Sequence, residues 1–198
     1  MPSRTSPPSC TLLSVGQAFV GTQNVDHSGA MKEERWTVHV RIQGCDLRHG
    51  TLCGSMEALN VPAAESSVVT FWEGEIIDNI NHTFFTEDWA NPDTDLKHWS
   101  RFPSFAPLRE AVNRDGGKGI DLARHSHVYM RWKEKFFVNV GPDCGLTIAG
   151  FYYLCFSRVD GTIRGFYYDP NSSPYQQLEL RATTEGRNGH SFGCYEFR

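Results

Sequence analysis

Alternation with period two constrains this chain more than any other feature. Between residues 35 and 43, Trp36, Val38, Val40 and Ile42 fall on one side of an extended chain and Thr37, His39 and Arg41 on the other. That is the pattern of a strand with one face in a core and one in water. Further runs rich in β-branched and aromatic residues occupy 52–61, 68–77, 127–140, 147–158, 162–168 and 177–182, with a last one near 192–197. Asp160-Gly161 between two of these runs is a hairpin signal, because a tight turn needs the positive φ that Asp and Gly tolerate. Short strands joined by short turns imply an all-β chain closed into an antiparallel barrel or stacked as a sandwich.

Residues 84–126 read differently. Segments 94–99 and 107–112 look like short helices and Asp115-Gly116-Gly117 like a turn, so this stretch is expected to be a helical insertion lying on the barrel. Residues 1–11, with prolines and serines and almost no large apolar side chain, have the composition of a disordered tail. The expected organisation is therefore a tail and one domain over 12–198, a length that suits a single core.

The 19 Lys and Arg against 23 Asp and Glu leave a net charge of -4, which disfavours a general nucleic-acid or anionic-membrane binder. No apolar run approaches the ~20 residues of a membrane span. The six cysteines are scattered without a CxxC pair and the N-terminus lacks the apolar core of a secretory signal. A cytosolic location, or cytosolic and nuclear, with free thiols is expected. Asn81-His82-Thr83 and Asn171-Ser172-Ser173 fit the glycosylation sequon, but without a secretory route both are chance matches.

Three candidate sites carry little. Gly116-Gly117-Lys118-Gly119 lacks the spacing and preceding strand of a phosphate loop and reads as a turn. His125 and His127 lack a companion at zinc spacing. Nothing brings a base to Cys144. Neither metal nor cofactor is expected. The informative anomaly is in the run 127–140, where one face reads Val128, Met130, Trp132, Glu134, Phe136 and Val138. A carboxylate interrupts an apolar face. The opposite face, with Tyr129, Arg131, Lys133, Lys135, Phe137 and Asn139, looks wetter, so period two aims Glu134 at the core or lumen. An ionised carboxylate buried there needs a partner. Two partners fit: a core Arg or cluster of Tyr hydroxyls, or a cationic ligand held in a small barrel with tyrosines from Phe151-Tyr152-Tyr153 and Phe166-Tyr167-Tyr168 as donors and walls.

Leu52-Cys53-Gly54, Phe71-Trp72-Glu73-Gly74-Glu75-Ile76, Lys97-His98-Trp99, Met130-Arg131-Trp132-Lys133-Glu134, Ala149-Gly150-Phe151-Tyr152-Tyr153, Gly165-Phe166-Tyr167-Tyr168, Tyr175-Gln176 and Tyr195-Glu196-Phe197-Arg198 together resemble the vacuolar import and degradation family. These are the substrate receptors of the GID/CTLH ubiquitin ligase. The likeness runs over about 12–198, and its wording is most similar to plant or algal members. It implies an antiparallel eight-stranded, lipocalin-like barrel whose mouth captures proteins that begin with proline, for ubiquitination and proteasomal degradation. The receptor itself is not catalytic. The resemblance assigns Glu134 and Tyr152 to the terminal amine. It assigns Gln23, Gly145, Thr147, Ile148, Tyr167 and Gln176 to the pocket or the peptide backbone, and Val38, Val61 and Val68 to apolar walls. It further implies that Tyr195, Glu196, Phe197 and Arg198 dock on the ligase's armadillo-repeat scaffold. Thr147 stands where the family pattern has Ser, and Ile148 replaces an aromatic. A lipocalin-like carrier of a small molecule and an enzyme are the competing readings, the latter weakened by the lack of a readable nucleophile, base and orienter.

Overall fold

The computed structural model describes residues 12–26, 34–61, 64, 66–141, 144–171 and 175–183. Eight strands follow one another: β1 Ala18–Asp26, β2 Glu34–Asp46, β3 Thr51–Leu59, β4 Val68–Ile76, β5 His127–Phe137, β6 Phe151–Ser157, β7 Thr162–Tyr168 and β8 Tyr175–Thr183. Each pairs antiparallel with the next, and β8 returns to β1 to close the barrel. Closure leaves no sheet edge unpaired, so the strands need only an apolar inner face to be stable. In β2 that face is Val38, Val40 and Ile42, all buried, while His39 and Arg41 are exposed.

Several expectations need correction. No strand was expected at Ala18–Asp26, yet β1 pairs with both β2 and β8 and so closes the barrel; the run near 192–197 lies outside the described residues. The alternation read in β5 also fails beyond Glu134. Trp72 opposes Glu134 while Phe71 opposes Phe136, so Lys135 is an extra residue on β5. A bulge of this kind exchanges the faces that follow it. Phe136 is therefore exposed, stacking on Phe71 at 5.2 Å, Val138 is exposed past the strand end, and Phe137 turns inward instead. Likewise β6 begins at Phe151, so residues 147–150 belong to the preceding loop.

The core has two layers. Inside the barrel Phe19, Val40, Met56, Met130, Leu154, Phe156 and Leu180 surround Trp72 and Trp132, whose indoles stack at 4.1 Å. Glycines make room for these rings: a Cβ on Gly74 would lie 2.5 Å from Cδ1 of Trp132, and one on Gly54 would lie 2.8 Å from Cζ2 of Trp72. The second layer lies outside. Between β4 and β5 the chain forms α1, Pro92–Trp99, and α2, Arg109–Asp115, with 3-10 turns at Pro103–Phe105 and Leu122–Arg124. Phe84, Trp99, Phe102, Phe105 and Val112 from this segment pack on Tyr129, Phe151 and Tyr153. The outer face of β5 is thus not wet at its start: Tyr129 is buried beneath the helical segment and Arg131 is buried beside Trp89. Arg131 points away from the lumen, donating to Glu75 at 2.7 and 2.9 Å and to the Thr83 carbonyl at 2.7 Å.

α1 starts where Asn91 accepts from the Thr94 amide at 2.8 Å ahead of Pro92 in the first turn, the usual capping chemistry. Its Asp95 is fully buried and accepts from the Tyr153 hydroxyl at 2.6 Å and the Thr86 amide at 2.8 Å. Desolvation holds that carboxyl above its ordinary range, against the pull of those bonds. This joint locks the helical segment to β6 and holds the wall that carries Tyr152.

Candidate functional site

Alternate strand ends meet at one mouth of the barrel, and there the inner faces stop being apolar. A cavity of about 320 Å³ is lined by late β1 (Gln23, Val25), early β2 (Glu34, Trp36), late β3 (Met56, Ala58), early β4 (Val68, Thr70), late β5 (Glu134, Phe137) and single residues of β6, β7 and β8 (Tyr152, Tyr167, Gln176). The loop before β6 covers it with Gly145, Leu146, Thr147 and Ile148, turning at Gly145 with a left-handed φ of 81°.

Glu134 stands at the base, on the inner face two residues beyond the Trp132 of the core stack. Its residue is half-buried but its carboxyl is desolvated, and burial pushes the pKa up to about 7, against a hydrogen bond from Thr70 Oγ1 at 2.5 Å that pulls it down. Among the described residues no basic side chain is paired with it. The core-Arg partner considered for Glu134 is therefore absent there, since Arg131 belongs to the outer face. Tyr152 stands next around the wall. Its hydroxyl donates to Gln23 Oε1 at 3.1 Å, and Gln23 Nε2 donates to Gln176 Oε1 at 2.5 Å, so three strands share one polar chain. Burial first, then the neighbouring Glu134 and Tyr167, hold the Tyr152 phenol well above its ordinary value. Tyr167 is raised to about 12, chiefly by burial, and accepts from the Gly150 amide at 2.8 Å. Both phenols are thus neutral at physiological pH, leaving Glu134 as the charge-bearing group at the base. On the outer side Lys133 donates to the Ala149 carbonyl at 2.9 Å. The end of the covering loop is therefore held from both faces of the barrel wall.

Nine of the eleven residues assigned to the pocket come together here: Gln23, Val68, Glu134, Gly145, Thr147, Ile148, Tyr152, Tyr167 and Gln176. Val38 and Val61 do not line it. Val38 is buried within the barrel core, and Val61 is buried past the end of β3, beyond the left-handed Asn60. Tyr195, Glu196, Phe197 and Arg198 lie outside the described residues. The sequence reading missed Val25, Glu34, Trp36, Met56, Ala58, Thr70, Phe137 and Leu146. Trp36 and Met56 were visible as inward positions of readable strands; Phe137 was hidden by the bulge. None of the four described cysteines is in a disulfide. Among the described residues no group of three His, Cys, Asp or Glu could hold a metal, and no helix is long and apolar enough to cross a membrane.

Fold and site together define a closed up-and-down barrel with a small half-polar cavity at one mouth and a desolvated carboxyl at its base. The family model described as vacuolar import and degradation protein matches residues 12–183, and the chain belongs to that family. The mouse protein named glucose-induced degradation protein 4 homolog is 35% identical over 192 residues, covering 95% of this chain and 83% of the mouse one. GID complex substrate-recognition subunit 4 of Schizosaccharomyces pombe is 31% identical over 183 residues, 86% of this chain and 90% of the yeast one. Subunit 10 of the same complex in Saccharomyces cerevisiae is 26% identical over 218 residues, 91% of this chain and 72% of its own length.

Proposed function

We propose that this chain is a substrate-recognition subunit of a GID/CTLH-type ubiquitin ligase that holds the free N-terminal proline of its targets in the barrel mouth. The observation that carries the reading is Glu134: a carboxyl desolvated at the base of a cavity, bonded to Thr70 and unpaired with a cation among the described residues. The names of the mouse and yeast relatives support the coarser half. A prolyl terminus supplies the missing partner. Its secondary ammonium carries two N–H donors, which the Glu134 carboxylate and the Tyr152 hydroxyl oxygen can accept, and charge-assisted bonds of this kind are the strong ones. The pyrrolidine ring rests on the apolar wall of Val25, Met56 and Val68. Internal prolines and acetylated termini are rejected, because burying them would strip water from Glu134 without replacing it by a cation.

On this reading the chain performs no chemistry; it docks on an armadillo-repeat scaffold through residues 195–198 and presents its cargo for ubiquitination in the cytosol or nucleus. The test is fluorescence anisotropy with a Pro-first peptide and the same peptide extended by one Met at its N-terminus. The Pro-first peptide binds and the Met-Pro-first one does not. Equal affinity for the two refutes recognition of a terminal proline.

A further inference from the structure

One wall of the cavity holds a donor without an acceptor. Trp36 is an inward residue of β2 and lines the cavity, its Cα in register with Gln23 across the β1–β2 ladder. Its indole Nε1 is buried and has no hydrogen-bond partner. An indole N–H can only donate, so it cannot be satisfied by turning into an acceptor, and buried donors are rarely left unpaired. The Trp72 and Trp132 nitrogens are also unpaired, but they belong to the core stack and are not among the residues lining this cavity.

We infer that Trp36 is a specificity-determining residue whose indole N–H donates to a carbonyl of the bound peptide, at its first or second peptide group. The inference rests on the receptor reading above and deepens it. Gln23, opposite Trp36 on β1, is engaged by Tyr152 and Gln176 and leaves the indole N–H without an acceptor; a peptide carbonyl supplies one when the indole turns that edge into the cavity. The ligand class is then narrower than amines: it must carry an acceptor one or two residues in from its charged end. A simple cyclic amine fills the base and leaves Trp36 unpaired.

The experiment is a coupling measurement. Wild type and Trp36→Phe, which removes the N–H and keeps an aromatic wall, are titrated with a Pro-starting peptide and with two analogues carrying an alkene isostere at the first or the second peptide bond. The substitution is expected to weaken the normal peptide by about tenfold, the scale of one hydrogen bond to a buried donor, and to change binding of one isostere by less than twofold. Equal losses on all three ligands mean that Trp36 acts by packing alone and overturn the inference, as does no loss on any. In wild type, the Trp36 indole N–H resonance is expected to move downfield with the normal peptide; an unmoved resonance also overturns it, and this readout does not depend on the variant folding. If wild type binds no Pro-starting peptide, the receptor reading fails first and takes this one with it.

Discussion

Replacing Glu134 by Gln keeps the shape of the side chain and removes its charge, which separates the site's function from its contribution to stability. Burial lifts the carboxyl from 4.5 to about 7, and at ~1.4 kcal/mol per pKa unit the ionised form costs the folded chain about 3 kcal/mol above pH 7. The sign follows from the direction. The folded state holds the proton more tightly than the unfolded one, so this group's contribution is most favourable below pH 4.5 and is lost as the pH rises through 7. A Gln side chain escapes the charge penalty but buries an amide with one hydrogen-bond partner, Thr70, which costs about 1 kcal/mol back. The net gain of ~2 kcal/mol at pH 8 should raise the melting temperature of Glu134→Gln above wild type by on the order of 5 °C. At pH 5 the two should melt within about 2 °C of one another, because the wild-type carboxyl is then mostly protonated. Peptide affinity moves the opposite way and should fall by roughly 3 kcal/mol or more, the scale for losing one partner of a buried ion pair. Thermal melts at both pH values, with one titration of each protein at pH 7.5, test the whole argument. A melting temperature that falls at pH 8 while binding survives would refute it, since Glu134 would then be serving a structural partner.

Three further outcomes are expected. Because Glu134 must ionise to hold an ammonium, affinity for a Pro-starting peptide should rise by on the order of twentyfold between pH 5.5 and 7.5 and then level; a flat profile contradicts a carboxyl held near 7. Gly150→Ala should lower the melting temperature by several degrees and weaken binding, because the added Cβ would lie 2.2 Å from the Tyr168 carbonyl and 2.6 Å from Cζ of Tyr167, an overpacking worth about 1–3 kcal/mol; a melt that matches wild type shows that the loop yields. Deleting Tyr195 to Arg198 should abolish recovery with the ligase scaffold in a pulldown while leaving peptide affinity within about twofold; retained association refutes the docking role.

Most strands were legible because their inner residues are apolar, and the failures fall where the site needs other residues. β1 turns Phe19, Gly21, Gln23 and Val25 inward, and Gln23 serves the polar chain to Tyr152 and Gln176. At Gly21 a Cβ would strike the Glu179 carbonyl of β8. Two of four inward positions are thus unreadable as core, which erased the alternation. Glu134 was legible for the converse reason: it was one carboxylate in an otherwise apolar series. What lay beyond it was not, because the extra Lys135 leaves no mark in a pattern that simply continues, so Phe136 and Phe137 exchanged faces. Arg131 and Tyr129 read as a solvated face because the cover over them comes from residues 84–112, a contact that local periodicity cannot report. Trp36 was readable as inward, yet its unpaired nitrogen is a property of the packed wall alone.

Recognition of a free, charged prolyl terminus at the barrel mouth is decided by calorimetric titration of one Pro-starting peptide in two forms, with its amine free and with its amine acetylated, against the wild-type protein at pH 7.5. Acetylation removes the charge and a donor while leaving the ring and the rest of the chain unchanged. The free peptide is expected to bind saturably and the acetylated one to give no measurable heat; equal affinities for the two rule out a mouth that reads the terminal charge.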